Sequence, residues 1–389
     1  MRFEFSPSEV EFRKRARSWI EANKPPEPRS DDGMAMREFD LAWQQRKFAG
    51  GWAGLAWPRE HGGLGLEAVQ QIIWYEECAR ARAPLEGCLS VALNHAGPTI
   101  IAYGTEEQKA TYLPPILRGD VVWCQGFSEP GAGSDLAALR MRGEVRGDKI
   151  ILNGQKIWTS HAHVADFQET LIRTGPLTPK HKGLTWVICD MKAPGITIRP
   201  LKTIAGNEHF CEVFYEDVVL PLSNVVGAID DGWRVAMSTL SFERGGLSAG
   251  RAAELRHLLE DLIGLARERT GRDGVRKAIE EDGVARQLAL LRAEVGALQA
   301  MVYETVFSNS GGPPGPEASV DYLYCGELLQ RIRLLSLDIL GADALETSGE
   351  AGHWTRPYLN DRYYLIAGGS AEIRRNIIAE RVLGLPRSY

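Results

Sequence analysis

The 389 residues contain no apolar run of the roughly 18 residues that a membrane-spanning helix needs. The start, "MRFEFSPSEVEFRKRARSWIEAN", is charged every few residues and lacks the apolar core of a secretory signal, which predicts a cytoplasmic chain. A basic excess is also missing. With 45 Lys and Arg against 51 Asp and Glu, the net charge is −6 and there is no polybasic tail, so neither nucleic acid nor an anionic membrane surface is an expected partner. Cysteine is scarce and scattered: the six thiols, at 78, 88, 124, 189, 211 and 325, show no C-x-x-C spacing. That signals neither a zinc site nor a disulfide framework and predicts reduced, mostly buried thiols. There is no internal repeat, no regular strand-helix alternation of the Rossmann kind, and no P-loop, G-x-G-x-x-G or G-x-S-x-G.

What is present changes texture twice. "SPSEVEF" supplies a cap, a proline at the first helical position and Glu9 in capping-box register, and helix-period segments continue to about Leu117. Two loops interrupt them, "PPEPRSDDG" (25–33) and "WPREHGGLGL" (57–66); the glycines of the second suit a tight turn with close backbone approach. From Val121 to about Val226 the pattern becomes alternating and β-branched, as in "GEVRGDKIILNGQKIW", "GLTWVICDM", "GITIRPL" and "CEVFYEDVVLP". Helical periodicity returns from "DDGWRVAMSTLSFERGG" onward, broken by the loop "SNSGGPPGPEAS" (308–319). The expected fold is mainly α with a central β domain. Its segments are a helical domain over 1–120, a β domain over 121–226 and a helical bundle over 227–389.

Where helix gives way to strand stands "WCQGFSEPGAGSD", Trp123 to Asp135. Its PGAG turn lets backbone amides approach a ligand, and Ser128 and Ser134 offer hydroxyls; a plain domain-boundary turn is the alternative reading. "NGQKIWTS" sets Trp158, Thr159 and Ser160 at a strand end, where an indole and hydroxyls can meet a flat ring or simply join the core. His161 and His163 form an H-x-H, read as alternating on a strand; without carboxylate or thiol partners it predicts no metal site.

Taken in order, "GWAGLAWPREHGGLG", "WCQGFSEPGAGSD", "NGQKIWTS", "LSFERGGLS" and "GGSAEIRRNIIAERVLGLP" resemble the successive signatures of the FAD-dependent acyl-CoA dehydrogenases over nearly the whole chain. The resemblance implies an N-terminal helical domain, a middle β-barrel-like domain and a C-terminal four-helix bundle. It also implies FAD, an acyl-CoA substrate, electron-transfer flavoprotein as acceptor and a homotetramer or related dimer-based assembly. By the same likeness, Gln125, Phe127 and Ser128 contact the pyrimidine end of the flavin and Ser134 lies along the pantetheine. Trp158 walls the isoalloxazine, Ser160 hydrogen-bonds near N5, and Gly369, Ser370 and Glu372 touch the cofactor.

The family reaction removes a proton α to a thioester with a carboxylate, stabilises the thioester oxygen with hydrogen-bond donors and passes the β-hydride to flavin N5. In medium- and short-chain members the base precedes the glycine of the C-terminal signature; here that position is Gly368, whose N–H keeps the role of thioester donor. Isovaleryl-CoA and long-chain members carry the base in an "ER" pair, which here is Glu243 with Arg244 beside the substrate. Without the resemblance, such a pair reads as a solvated helix face. "ARERTGRDGVRK" lacks the Phe-Gly of the motif that reaches a neighbouring subunit's FAD, leaving Arg269 or Arg272 for that contact. Two other readings share the fold: a flavin oxidase or monooxygenase, and one subunit of a two-chain dehydrogenase.

Overall fold

The computed structural model describes residues 4–31, 33–242, 247–308 and 315–387. In chain order the helices are α1 (Pro7–Asn23), α2 (Gly33–Ala49), α3 (Ala68–Ala81), α4 (Gly97–Tyr103) and α5 (Glu106–Arg118). The strands follow: β1 (Trp123–Gly126), β2 (Arg142–Arg146), β3 (Lys149–Ser160), β4 (Phe167–Arg173), β5 (Leu184–Asp190), β6 (Ile196–Leu201), β7 (Phe210–Pro221) and β8 (Val225–Val226). Helices resume with α6 (Gly232–Phe242), α7 (Leu247–Glu268), α8 (Asp282–Ser308), α9 (Ala318–Leu340), α10 (Gly349–Asn360) and α11 (Ala371–Ile377). Half of the 308–319 loop, residues 309–314, lies outside the described residues.

The chain forms two compact units. One comprises Met1–Ala22, Glu67–Ala83 and Arg244–Tyr389; the other comprises Asn23–Leu66 and Pro84–Glu243. In the first, α7, α8, α9 and α10 build a bundle around Leu255, Leu259, Leu262, Leu298, Leu328 and Ile332, and α3 adds Ile72 to that core. Helix α1 starts as its sequence predicts: Ser6 N donates to the Glu9 carboxylate at 2.6 Å while Glu9 N donates to Ser6 Oγ at 3.3 Å. It is tied to α3 through Glu77, which accepts from Arg13, Arg17 and Arg80 at 2.7–3.0 Å.

In the second unit, eight strands pair in the order β6-β7-β3-β2-β4-β5-β8, with β1 added parallel to β4. Alternation along β3 and β7 sends Ile150, Leu152, Val213, Tyr215 and Val218 into one core. A second core lies under α4, α5 and α6, where Trp57, Ile100, Ile116, Trp123, Leu171 and Trp186 meet. The 57–66 loop makes the close approach its glycines suggest: a Cβ on Gly63 would fall 2.3 Å from Trp57 O. All six cysteines are unbridged, five of them buried and Cys325 partly so.

Candidate active site

In the sheet-bearing unit, β1 delivers the chain into the glycine-rich turn, and β3 holds that turn from behind. Ile157 N donates to Ser128 O at 3.0 Å, and the fully buried Lys156 ammonium reaches Phe127 O at 3.0 Å and Glu129 Oε1 at 2.9 Å. Glu129 also accepts from the backbone N–H groups of Arg140, at 2.7 Å, and Met141, at 2.8 Å. Four donors thus set the path of the turn around Ser128. Gly131 and Gly133 beyond it face open space, and Ser134 is exposed. Gln125, on β1, donates to Glu169 Oε1 at 2.7 Å and lies 3.3 Å from His95 Nδ1, so its amide is held by a buried carboxylate.

The pairing of β3 with β7 slips between Lys156 and Thr159, a bulge that turns Trp158 outward. Trp158 sits at φ 60°, a left-handed conformation that a bulky residue adopts only when its surroundings impose it, and its indole is 59% exposed. Phe210 meets that ring edge-on at 6.0 Å between centroids. Thr159 is buried and Ser160 half-buried beside it. A large aromatic face held open by backbone strain, next to a hydroxyl and the glycine turn, fits a planar ring system such as the flavin. The sequence placed the H-x-H on a strand; instead β3 ends at Ser160, His161 turns at φ 60° and His163 lies in the following 3₁₀ turn (Ala162–Val164). Burial pushes the His161 imidazole down to about 3, so it is neutral, and His163 Nδ1 contacts Cys211 Sγ at 3.3 Å.

In the bundle-bearing unit, Gly368 and Gly369 have φ of 62° and 104° and lead into α11. Ser370 is its N-cap, with Oγ accepting from Ile373 N at 3.4 Å, and Glu372 stands exposed in its first turn. Buried Arg374 reaches back to Gly368 O at 2.6 Å and Gly369 O at 3.0 Å. The carbonyls of the glycine pair are therefore fixed, and with them the peptide planes that carry the neighbouring N–H groups. Arg269 follows α7 and pairs with Asp343, while Arg272 N donates to Glu281. Glu243 and Arg244 lie outside the described residues, between the end of α6 and the start of α7.

Three residues with positioning roles went unassigned in the sequence although they stand inside the quoted motifs: Lys156, Glu129 and Arg374. A charged residue in register with the inward-facing Ile150 and Leu152 of the same strand, as Lys156 is, was the signal available.

Residues 6–120, 124–218 and 230–383 match, respectively, the N-terminal, middle and C-terminal domains of acyl-CoA dehydrogenase. The chain belongs to the acyl-CoA dehydrogenase family. Its fold is the acyl-CoA dehydrogenase three-domain fold, and as a family member it is an FAD-dependent oxidoreductase that dehydrogenates acyl-CoA thioesters. Among similar proteins, acyl-CoA dehydrogenase IpdE1 of Mycobacterium tuberculosis is 40% identical over 97% of this chain and 98% of its own. Acyl-CoA dehydrogenase FadE26 of the same organism is 33% identical over the whole of both chains. Two solved structures superimpose along their full lengths and this chain's: the Tcur3481-Tcur3483 steroid ACAD (TM-score 0.86, 31% identity) and the ChsE4-ChsE5 complex from Mycobacterium tuberculosis (TM-score 0.85, 32% identity). These names do not favour an oxidase or monooxygenase reading. Among the described residues no helix is long and apolar enough to cross a membrane.

Proposed function

We propose that the chain converts a bulky, polycyclic acyl-CoA to its 2,3-enoyl-CoA, with Glu243 as the base that takes the α-proton. The observation that carries the substrate class is the full-length likeness to a structure named a steroid ACAD. FAD, when bound, supplies the acceptor for the β-hydride. The chain's own part is to hold and orient. Gln125, Phe127 and Ser128 on the braced turn, together with Trp158 and Ser160 at the bulge, cradle the flavin ring, and Gly369, Ser370 and Glu372 contact the cofactor. The Gly368 N–H, in a segment held by Arg374, donates to the thioester oxygen, where charge grows as the proton leaves. Ser134 lies along the pantetheine of the CoA, and Arg244 contacts the substrate. Arg269, which pairs with Asp343 in its own chain, or Arg272, serves the cofactor across subunits.

The domains in this reading are 1–120, 121–226 and 227–389. The chain works in the cytoplasm in a multi-chain assembly, a reading supported by the complex named for one of its structural neighbours. A tetramer of this chain, or a pairing with a related second chain, gives that assembly, and electron-transfer flavoprotein takes its electrons.

The test is anaerobic bleaching of the flavin against straight, branched, aromatic and steroid side-chain acyl-CoAs, with light scattering to fix the assembly. Bleaching led by the steroid side-chain thioesters is the expected outcome. Glu243→Gln keeps size and hydrogen bonding but accepts no proton at neutral pH, so it binds acyl-CoA and slows bleaching by several orders of magnitude. Near-normal bleaching by that variant places the base elsewhere.

A further inference from the structure

Strand β4 carries three consecutive polar residues, Gln168, Glu169 and Thr170, all fully buried. Alternation sends Gln168 and Thr170 to one face of the strand and Glu169 to the other. On the first face Gln168 Oε1 accepts from the hydroxyls of Thr170, at 2.6 Å, and Tyr215. A Cβ on Gly126 would fall 2.3 Å from that oxygen, so the glycine lets β1 lie close against β4. On the other face the pairing of β1 with β4 sets Gln125 directly opposite Glu169. Three atoms meet there. Gln125 Nε2 is 2.7 Å from Glu169 Oε1 and 3.3 Å from His95 Nδ1, and His95 Nδ1 is 3.4 Å from the same carboxylate oxygen. His95, in the turn Ala92–Ala96 that leads into α4, is itself buried, while Gln125 is only half-buried.

A carboxylate offers acceptors only, so the Gln125 amide must turn its nitrogen toward Glu169. Neither tautomer of His95 reverses this: Nδ1 without a proton accepts from the same nitrogen, and Nδ1 with one donates to Glu169. The Gln125 oxygen is left over, and it accepts no hydrogen bond from the described residues. We propose that Glu169, braced by His95, is a positioning residue that locks Gln125 as a pure acceptor, and that this acceptor reads the N3–H of the flavin's pyrimidine ring, the one donor between the O2 and O4 acceptors of that edge. The inference rests on the assignment of Gln125 to the flavin. A hydrogen bond to a charged acceptor is roughly twice as strong as a neutral one, so the carboxylate, not the ligand, sets the amide's direction. An apolar residue of similar volume would suit the middle of a sheet as well as a buried carboxylate or better. What Glu169 adds is that fixed direction.

The experiment takes the full chain purified with FAD, strips the flavin and titrates the protein with FAD and with FAD methylated at N3, which has no N3–H to give. The readout is the ratio of the two affinities, followed by flavin fluorescence. Wild type is expected to prefer FAD by about 30-fold or more, since a site built to hydrogen-bond a group rejects the analogue that lacks it. Gln125→Leu should shrink that preference at least tenfold. Glu169→Met, which leaves Gln125 in place but frees its amide to turn, should do the same, whereas Glu169→Gln offers the amide a carbonyl and should keep the ratio within about threefold of wild type. A role in packing alone would weaken both flavins together and leave the ratio unmoved. If Glu169→Met fails to fold, Glu169→Val, a better strand former, replaces it, and the wild-type ratio is a test by itself. Equal affinities in wild type overturn the proposal, as does a Glu169→Gln variant that behaves like Glu169→Met. A ratio lost in Gln125→Leu but intact in Glu169→Met overturns the positioning role and leaves Gln125 at the flavin; a ratio that neither variant moves overturns both.

Discussion

Lys156 donates from a fully buried ammonium to two acceptors of a single turn, Phe127 O at 3.0 Å and Glu129 Oε1 at 2.9 Å, and so brackets Ser128 between them. Burial pushes this ammonium down to about 8, with Glu129 opposing the shift. The pair joins the turn to the strand that carries Trp158, so the two segments assigned to the flavin move as one piece.

Lys156→Met removes the ammonium and leaves the half-buried Glu129 with only its two backbone donors. Breaking a buried pair from one side costs about 3 kcal/mol, and the turn loses its anchor. The midpoint of urea unfolding should fall accordingly, and FAD affinity, followed by quenching of tryptophan fluorescence, should weaken. A variant with unchanged midpoint and affinity would mean that the pair does not brace the turn.

Glu77 makes stability acid-sensitive. Burial alone would raise its carboxyl, but hydrogen bonds from Arg17, Arg80 and Arg13 outweigh that and hold it at about 2. Its folded value is thus below the unfolded one, near 4.5. The stability it contributes is complete above about pH 4.5 and is lost as pH falls toward 2. Glu77→Gln should cost about 2 kcal/mol at pH 7 and flatten the stability profile between pH 4.5 and 2. Chemical denaturation at each pH checks both.

Asp321 acts in the opposite sense. Burial raises its carboxyl from 3.8 to about 6, against a hydrogen bond from Thr305. The folded chain therefore binds this proton more tightly than the unfolded one, and stability from this group falls as pH rises from about 4 through 6. Asp321→Asn should raise stability at pH 7 by about 1–3 kcal/mol and leave it unchanged near pH 4. A variant no more stable than the wild type at pH 7 would place the titration elsewhere.

Moving the base back to the C-terminal signature should succeed only in part. Glu243→Gly combined with Gly368→Glu puts a side chain on a residue at φ 62°, a left-handed backbone that costs an L-residue roughly 1–2 kcal/mol. A base misplaced by about 1 Å also loses on the order of 100-fold. Stopped-flow bleaching should show the double variant above Glu243→Gly alone and well below wild type. No gain over Glu243→Gly would mean that a carboxylate at 368 does not reach the α-carbon.

Much of this molecule is decided locally and can be read from the chain. The Ser6/Glu9 cap, the alternation along β3 and β7, the tight turn at 57–66 and the helix-sheet-helix order depend on neighbours a few residues apart, and the structure reproduces them. The ordered motifs marked the glycine turn and the strand end as site material for the same reason. What the chain alone left unstated was pairing at a distance. Lys156 meets Glu129 across 27 positions and Glu77 meets Arg17 across 60. The bulge that opens Trp158 exists only once β3 lies against β7. Gln125 meets Glu169 only when β1 lies beside β4. A charge in the sequence shows that a partner or solvent is needed, but burial determines which; only the packed chain excludes water from Lys156, Glu77 and Asp321 and obliges each to settle with the groups that folding has brought within reach.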